Sequence, residues 1–478
     1  MFPKETYIRR RKDLIVSMRA MGECGLLILL GNIETPVQGS PDTNGIDFNQ
    51  DSNFLYFFGL NRSRLAAIID SDTGEASLFG DDASLNDLIW SGLQPSVREL
   101  AAQVGVVRTG RYHEFDEAVK TALSAGRPVH VLPPHRYFNL LRICEVLGCT
   151  PENAKRVAAG GGRHASESFV KAVIGMRLIK DDLEIGAMDE TCDLGVEMHE
   201  AGRRVIRPGA NENDVSAAMD GVSKRTGWGR SFATICTQHG ERLHAMRHDQ
   251  PLVPGNLLVV DAGVESNEHY ASDFTRTYPV SGRFTQKQRD IYQIVLDCNE
   301  LAFSLVKPGI TYRDVHLAAA RKMLEGLSAL DLVHGDLDEM VAQGIAGLFQ
   351  PHGLGHNLGL DSHDMADLGE DWVGYDPDQR RSEQLGLGNL RMARRLRPGH
   401  VITDEPGIYF IPGLIEQWRS EGLGKDFVNF SKLESYYDFG GIRLEDDVLV
   451  TEGGARRLGS RRLPIGIGDI EEAMKYHL

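Results

Sequence analysis

Five side chains that commonly bind metal ions follow one another in the second half of the chain, each in a short segment of its own. They are Asp261 in VVDAG, Asp273 in YASDFTRT, His356 in PHGLGHNLG, Glu405 in TDEPGIY and Glu445 in GGIRLEDD. Four carboxylates and one imidazole form a ligand set for two divalent cations, which carboxylate bridges hold about 3.5–4 Å apart. Because water held between two such ions becomes hydroxide near neutral pH, the set predicts metal-assisted hydrolysis.

The first two ligands are spaced as on a β-hairpin. Residues 257–261 have the pattern of a buried strand, VESNEH is turn-like and YASDFTRTYPV is strand-like. Neighbouring strands lie about 4.8 Å apart, so we expect Asp261 and Asp273 to oppose each other across the hairpin. Carboxylates that point into a core repel each other, and metal ions remove that cost. A solvated or capping role is the alternative for each aspartate taken singly.

Three histidines fall within twelve residues, at positions 352, 356 and 363. The glycines at 353 and 355 disfavour a helix, so we expect a loop or strand edge whose backbone approaches a ligand closely. His244 precedes the strand that carries Asp261. A lone histidine is more often a surface or core residue, so the cluster carries this prediction.

The last two ligands have informative neighbours. Glu405 precedes Pro406-Gly407, which favours an extended segment that enters a turn. Arg443 lies two residues before Glu445, on the same strand face, where it can pair with a ligand carboxylate and keep it ionised. Asp404 would raise the pKa of Glu405 if it faced the metals, but strand alternation predicts that it points away.

The elements that must position these residues divide the chain into an α/β domain at 1–170 and a catalytic domain at 171–478. Strand-like segments of the first domain are 25–31, 66–70 and 128–134, and helix-like segments are 81–104 and 115–125. The second domain has helical patterns at 183–198, 213–225, 286–306 and 311–330. The glycine run at 160–162 predicts a turn-rich segment between the two domains.

Composition excludes several classes of partner. The net charge of −16 over 478 residues argues against nucleic acid and anionic membranes, which require a basic footprint. The basic run at 9–12 is interpreted as a solvated helix face, and the apolar run after it is too short for a signal peptide or a membrane span. Six cysteines without a CxxC pair predict reduced, mostly buried thiols and a cytoplasmic location.

The ligand segments resemble those of the aminopeptidase P and prolidase group of pita-bread metallopeptidases. QDSNFLYFFG at 50–59 is similar to the signature of the group's N-terminal domain, which methionine aminopeptidases lack. The resemblance covers essentially the whole chain. It implies an α/β (α+β) fold, with a creatinase-like N-terminal domain followed by a pita-bread catalytic domain.

The resemblance also implies a role for each metal ligand. Asp261 would chelate one ion, Asp273 and Glu445 would bridge two ions, and His356 and Glu405 would complete the second site. A metal-bridging hydroxide would attack the carbonyl of an Xaa-Pro peptide bond, with Glu405 as general base. Oxygen-rich ligation favours two Mn²⁺ ions, with Co²⁺ or Zn²⁺ as alternatives.

Further site residues are implied in the same way. His244 and His363 would stabilise the tetrahedral oxyanion, His352 would line the proline pocket and Arg443 would support the ligands. The resemblance further implies a homodimer or higher homo-oligomer, in which the N-terminal domain of one subunit closes the site of its neighbour. Residues 365–390 look like an insertion that shapes the rim of the site or a subunit contact.

Two activities compete within the group. Prolidases cut Xaa-Pro dipeptides and need a cation for the terminal carboxylate, and Arg391 lies fourteen residues before Glu405, at the spacing of that clamp. This spacing favours a dipeptidase, and an Xaa-Pro aminopeptidase acting on longer peptides is the alternative. The alternative to the carboxylate clamp is that Arg391 only pairs with a nearby acid.

Two hypotheses lie outside peptide hydrolysis. A pita-bread protein can serve as an inactive binding or scaffold module, although such relatives usually lose ligands. Organophosphate hydrolysis is a further hypothesis, refuted if metal-loaded protein turns over a fluorophosphate no faster than an Asp273→Ala variant.

Overall fold

The computed structural model describes residues 1–34, 48–158, 167–225 and 228–475, so the glycine run at 160–162 lies outside the described residues. These residues form two compact units. The first contains Met1–Arg177 and the short segment Asp367–Gly369, and the second contains Leu178–Ala366 and Glu370–Leu478. A helix at Glu167–Arg177 continues across residue 170, so the chain leaves the first unit at Arg177.

The first unit is built on a five-stranded mixed sheet of order β4-β3-β2-β1-β5. Its elements are α1 (Lys4–Ala20), β1 (Leu26–Leu30), α2 (Ser52–Phe58), β2 (Ala66–Asp70), β3 (Glu75–Phe79), α3 (Leu85–Ser91), α4 (Val97–Gln103), β4 (Arg108–Gly110), α5 (Glu114–Ser124), β5 (Val129–His130), α6 (Tyr137–Leu147), α7 (Pro151–Ala158) and α8 (Glu167–Arg177). The apolar strand β1 is buried along its whole length, because it lies between β2 and β5.

The single helix predicted at 81–104 is two short helices. Pro95 cannot donate a backbone hydrogen bond, and Ser96 begins α4 with a capping box that includes Glu99. The preceding helix α3 has no buried residue, and all residues from 81 to 95 are exposed. Its sequence LNDLIWS is nevertheless rich in apolar side chains.

The prediction that the basic run at 9–12 is a solvated face is wrong for two of its four residues. Arg10 and Arg11 are buried, and they donate hydrogen bonds to the carbonyl oxygens of Tyr56 and Phe57 at 3.1 and 2.8 Å. Burial lowers the pKa of Arg11 to about 10. These arginines satisfy carbonyls at the end of α2, so they hold α1 against that helix.

The second unit contains three small sheets, of order β6-β7-β8, β13-β12-β9 and β10-β11. Its elements are α9 (Asp182–Arg203), α10 (Glu212–Arg225), β6 (Ile235–Thr237), β7 (Leu257–Ala262), β8 (Phe274–Pro279), α11 (Gln286–Leu305), α12 (Tyr312–Ala329), α13 (Leu337–Ala342), α14 (Glu370–Gly374), β9 (Val401–Asp404), β10 (Gly407–Tyr409), α15 (Pro412–Glu421), α16 (Phe430–Leu433), β11 (Gly441–Arg443), β12 (Asp446–Thr451), β13 (Gly454–Arg457) and α17 (Ile467–Met474). The helices α11 and α12 pack against each other and contribute to one large apolar core beside these sheets.

Two isolated bridges connect further segments to the small sheets. Thr275 of β8 pairs with Glu445, at the junction of β11 and β12, and Asn357 pairs with Ile402 of β9. Segments that are distant in the chain therefore meet around one concentration of polar side chains.

The cysteines agree in part with the expectation of mostly buried thiols. All six cysteines are free thiols, of which Cys192, Cys236 and Cys298 are buried and Cys24 is exposed. Among the described residues, none of the helices combines the length and the apolar character that crossing a bilayer requires.

Candidate metal centre

Asp273, His356 and Glu445 form the centre of the polar cluster in the second unit. One ligand atom from each of the three lies within 4.8 Å of the others, and all three residues are buried. Glu445 reaches this position because its backbone N–H donates to Thr275 at 3.0 Å, beside Asp273. His356 reaches it because its carbonyl accepts from Thr403 of β9 at 3.0 Å.

Close packing within the fold accounts for the glycine directly before His356. The segment is a loop that pairs with the edge of β9, as one of the two predicted alternatives required. A Cβ atom on Gly355 would lie 2.1 Å from the carbonyl oxygen of Thr403. The glycine therefore lets the histidine loop approach the backbone of β9 closely.

Asp261 does not oppose Asp273 directly, as the hairpin pattern predicted. The register pairs Asp261 with Thr275 and Ala262 with Phe274, so Asp273 lies two residues away on the same face of the hairpin. Diagonal neighbours still interact at this spacing, and the charge of Asp261 contributes to raising the pKa of Asp273. One oxygen of Asp261, Oδ1, is buried without a hydrogen-bond partner among the described residues.

Glu405 completes the group of carboxylates. The Nε2 atom of His356 lies 3.5 Å from Oδ2 of Asp273 and 3.6 Å from Oε1 of Glu405. The Nδ1 atom of the same ring lies 3.0 Å from the carbonyl oxygen of Asn357, which can only accept a hydrogen bond. Nδ1 therefore carries the proton, and the lone pair of Nε2 points at the carboxylates, as a metal ligand requires.

Burial has a large effect on the acids of this cluster. It raises the pKa of Asp273 and Glu445 well above their ordinary values, and the neighbouring carboxylates raise them further. Burial also raises the pKa of Glu405, to about 7. Several carboxyl groups buried together are stable in ionised form only with added positive charge, so the unpartnered oxygen of Asp261 and these raised pKa values fit bound divalent cations.

Two hydroxyl groups orient carboxylates of the predicted ligands. The hydroxyl of Thr275 donates to Oε2 of Glu445 at 2.6 Å, and that of Ser362 donates to Oδ2 of Asp273 at 2.9 Å. Thr275 also accepts from Nε of Arg443 at 3.1 Å. Serine and threonine are too common for their types alone to have revealed these roles.

Arg443 pairs with the carboxylate of Asp261, a predicted ligand, and begins a chain of hydrogen bonds. Its Nη2 atom lies 2.5 Å from Oδ2 of Asp261, and its Nη1 atom donates to the hydroxyl of Tyr409 at 2.9 Å. Tyr409 donates in turn to Nε2 of His352 at 2.9 Å, because Nδ1 of that ring donates to the carbonyl of Gly353. Burial lowers the pKa of His352 to about 3, so this ring is neutral.

The other two histidines of the predicted site, His244 and His363, are exposed at the edge of the cluster. The ring centroid of His363 lies 4.3 Å from that of His356, in an edge-to-face arrangement. Proximity to His356, followed by desolvation, lowers the pKa of His363. His244 lies in the loop between β6 and β7, and its charge contributes to lowering the pKa of His352 and of His363.

Arg391 lies within electrostatic reach of the cluster and pairs with an acid. Burial lowers the pKa of Arg391, and the charge of Glu405 acts in the opposite direction. Its Nη1 atom contacts Oε1 of Glu370, at the start of α14. The predicted insertion at 365–390 thus supplies the partner of this arginine.

Comparison with known proteins identifies the family of the chain. The profile of metallopeptidase family M24 matches residues 186–452, which contain all five predicted ligands, and the aminopeptidase P N-terminal domain matches residues 7–131. The chain belongs to metallopeptidase family M24. The predicted fold is confirmed: a mixed α/β protein with an N-terminal domain of the aminopeptidase P type and a pita-bread catalytic domain.

Curated relatives of this family member carry two names. The Xaa-Pro dipeptidase of Rattus norvegicus is 29% identical over 489 residues, which cover 99% of this chain and 94% of the relative. A probable Xaa-Pro aminopeptidase of Metarhizium acridum is 28% identical over 456 residues, which cover 95% of this chain and 86% of the relative. The chain is therefore a metallopeptidase that is similar, along nearly its whole length, to the Xaa-Pro peptidases of the prolidase and aminopeptidase P group.

Solved structures of the family agree with this assignment. Escherichia coli aminopeptidase P with the inhibitor Pro-Leu has a TM-score of 0.79 and 27% identity, and the match covers 100% of this chain and 99% of that chain. Aminopeptidase PepP of Pseudomonas aeruginosa has a TM-score of 0.79 and 26% identity over the same shares of the two chains. Family and geometry together indicate a site for divalent metal ions.

Proposed function

We propose that this protein hydrolyses the Xaa-Pro bond of Xaa-Pro dipeptides, and that it uses two divalent metal ions, Mn²⁺ in preference to Co²⁺ or Zn²⁺. The observation that carries the proposal is the buried cluster of carboxylates toward which the lone pair of His356 Nε2 points. Asp261, Asp273, His356, Glu405 and Glu445 would hold the ions. When bound, the ions would supply an activated water and polarise the scissile carbonyl.

The chain's own groups supply proton transfer and binding. Oε1 of Glu405 lies toward His356 and accepts from the hydroxyl of Thr403, so Oε2 is the oxygen that takes the proton of the attacking water. Glu405 then passes this proton to the proline nitrogen. His244 and His363, at the edge of the cluster, stabilise the oxyanion.

The proline ring and the terminal carboxylate have separate partners in this proposal. The neutral ring of His352, fixed by Tyr409, lines the proline pocket. Arg391 binds the carboxylate of a dipeptide, since a guanidinium offers two parallel donors to a carboxylate. Cleavage of longer peptides is the second candidate, and it is favoured by the pairing of Arg391 with Glu370, which occupies one of these donors.

We further propose a homodimer or higher homo-oligomer, in which the N-terminal domain closes the site of a neighbouring subunit. The apolar helix α3 supports this, because every one of its residues is exposed in the single chain. A cytoplasmic location stays a prediction from the six free cysteines.

The deciding experiment compares hydrolysis of Ala-Pro and Ala-Pro-Ala by manganese-loaded protein, with a chelated sample as the control. Cleavage of the dipeptide alone supports a dipeptidase with Arg391 as the clamp. Efficient cleavage of the tripeptide supports the aminopeptidase. Absence of cleavage of either peptide, at a measured content of two metal ions per chain, would overturn both candidates and favour a binding or scaffold role.

A further inference from the structure

The carboxylate of Glu370 lies between two arginines at the start of α14. Its Oε1 atom contacts Nη1 of Arg391, and its Oε2 atom lies 3.2 Å from Nη2 of Arg381. Each carboxylate oxygen is therefore held by a different guanidinium. The side chains of Glu370 and Arg391 are both more than a third exposed, so an incoming charged group can reach the pair.

The two arginines differ in how firmly they are fixed. Arg381 also binds Asp371 at 2.7 Å, donates to the carbonyl of Gly388 at 3.0 Å and lies over the ring of Tyr375. Glu370 is the hydrogen-bonding partner of Arg391 among the residues that the structure describes. Arg381 is thus a fixed cation, whereas the guanidinium of Arg391 is anchored through Glu370.

Arg391 also lies within electrostatic range of the metal centre. The charge of Glu405 acts on the pKa of Arg391, and the charge of Arg391 contributes to lowering the pKa of His363. A carboxylate bound to Arg391 would therefore lie close to the reacting groups. It would also lie next to Glu370, which carries a charge of the same sign.

We infer that Glu370 is a specificity-determining residue, which competes with the C-terminal carboxylate of a dipeptide for Arg391. The inference rests on the proposed function. A dipeptide ending in proline places its carboxylate beside the scissile bond, so it must share Arg391 with Glu370 or displace Glu370 toward Arg381. A longer or C-terminally neutral peptide has no carboxylate at this place and meets no such competition.

The arrangement limits the cost of displacement. When Arg391 turns to a substrate, Glu370 keeps the contact with Arg381 and remains paired. Dipeptides therefore bind, but with weaker affinity than Arg391 alone would give. Glu370 shifts the balance toward longer peptides without removing the carboxylate clamp.

The test uses Glu370→Gln, which removes the charge and keeps the shape, with Asp371→Asn as the matched control. Asp371 is the next residue on α14 and binds Arg381, but it has no contact with Arg391 among the described residues. Steady-state kinetics with metal-loaded full-length enzyme compare Ala-Pro with Ala-Pro-amide, which differ only in the terminal charge. We expect Glu370→Gln to lower KM for Ala-Pro about two- to fivefold, as for partly exposed charge pairs, and to leave KM for the amide and both kcat values unchanged.

Two further results decide the inference. In an Arg391→Met background, Glu370→Gln should no longer change KM for Ala-Pro, since the contested cation is gone. Equal changes for Ala-Pro and its amide, or the same change in Asp371→Asn, would show a merely structural ion pair and overturn the inference alone. Failure of the wild-type enzyme to cleave Ala-Pro, its amide and Ala-Pro-Ala would overturn the proposed function, and the inference with it.

Discussion

Thr275 joins a predicted metal ligand to the arginine beside it. Its hydroxyl donates to Glu445 and accepts from Arg443, and the residue is fully buried. Thr275→Val keeps the shape and removes both hydrogen bonds. We expect metal affinity and kcat/KM to fall about 10- to 100-fold, as is usual for groups that orient metal ligands.

Metal titration and steady-state kinetics measure this effect. Thr109→Val is the matched control, because Thr109 lies exposed on a short strand of the first unit. A Thr275→Val enzyme within about twofold of wild type in both quantities would show that Glu445 holds its position without this hydroxyl.

Asp404 and Asp446 are opposed acids with opposite expected effects on stability. Asp404 is fully buried, and neither carboxyl oxygen has a hydrogen-bond partner among the described residues. Asp446, directly opposite in the register, binds Arg276 and Arg457. We expect Asp404→Val to raise the free energy of unfolding by about 1–3 kcal/mol and Asp446→Val to lower it by about 3–5 kcal/mol.

Urea denaturation of the metal-loaded variants checks both values. Asp404 opposes Asp446, whose carboxylate binds Arg276 and Arg457, so its side chain shares that face of the sheet, as strand alternation predicted. The charge of Glu405 also contributes to its raised pKa, after those of Asp446 and Glu300. Peptidase activity of Asp404→Val should therefore stay near that of wild type. A loss of stability in this variant would show that the buried carboxyl has a partner, such as a bound water.

At the scale of elements, strand patterns predicted the hairpin but not its register. The apolar run before Asp261 and the alternating run after Asp273 were enough to place β7 and β8. The length of the turn decided which residues oppose each other, and turn length is not encoded in hydrophobic alternation. The partners Thr275, Ser362 and Tyr409 come from three separate segments, so only the folded chain brings them to the ligands.

The helix α3 provides a prediction about assembly. Leu85, Ile89 and Trp90 are 74%, 69% and 69% exposed, which is unusual for apolar residues grouped on one short helix. We expect Ile89→Asp to lower the molar mass observed by sedimentation velocity at micromolar concentration, because it places a charge in a subunit contact. Val107→Asp is the control, since Val107 is 94% exposed on another segment.

Either of two outcomes would contradict a role for α3 in assembly. One is a wild-type protein that sediments as a monomer, and the other is an Ile89→Asp variant with the mass of a wild-type oligomer. Because Ile89 is exposed, the variant chain should stay folded, and circular dichroism verifies this.

At the scale of the whole molecule, the metal centre should make stability depend on pH. Glu405 titrates near pH 4.3 in an unfolded chain, and burial raises its pKa in the folded protein to about 7. Folding then favours the protonated form, so this contribution is full below about pH 4.3 and is lost as pH rises through 7. We expect metal-free protein to lose on the order of 3 kcal/mol of stability over this range from this group.

Chemical denaturation of chelator-treated protein from pH 4.5 to 7.5 measures the loss. Subtracting the same profile for Glu405→Gln removes the contributions of all other groups. Addition of Mn²⁺ at pH 7.5 should restore stability, because bound cations compensate the ionised carboxylates. Identical pH profiles for the two proteins would show that Glu405 is not stabilised in its protonated form.

The family, and the grouping of the five predicted ligands in the fold, could be predicted from short segments of sequence, because each segment combines a candidate ligand with turn or strand residues that restrict its backbone. The burial of Arg10 and Arg11 could not be predicted in this way, because their carbonyl partners lie on α2 and beyond it. The pairing of Arg391 was left open for the same reason. Side-chain contacts over long separations depend on packing, which one sequence does not state.

The positions of the five predicted ligands along the chain have a consequence for proteolytic cleavage. Arg380 is exposed in the segment between His356 and Glu405, so tryptic cleavage there would divide the ligands between two fragments. Asp261, Asp273 and His356 would remain on one fragment, and Glu405 and Glu445 on the other. Bound ions would then hold the two fragments together. A chelator should therefore destabilise the nicked protein more than the intact protein.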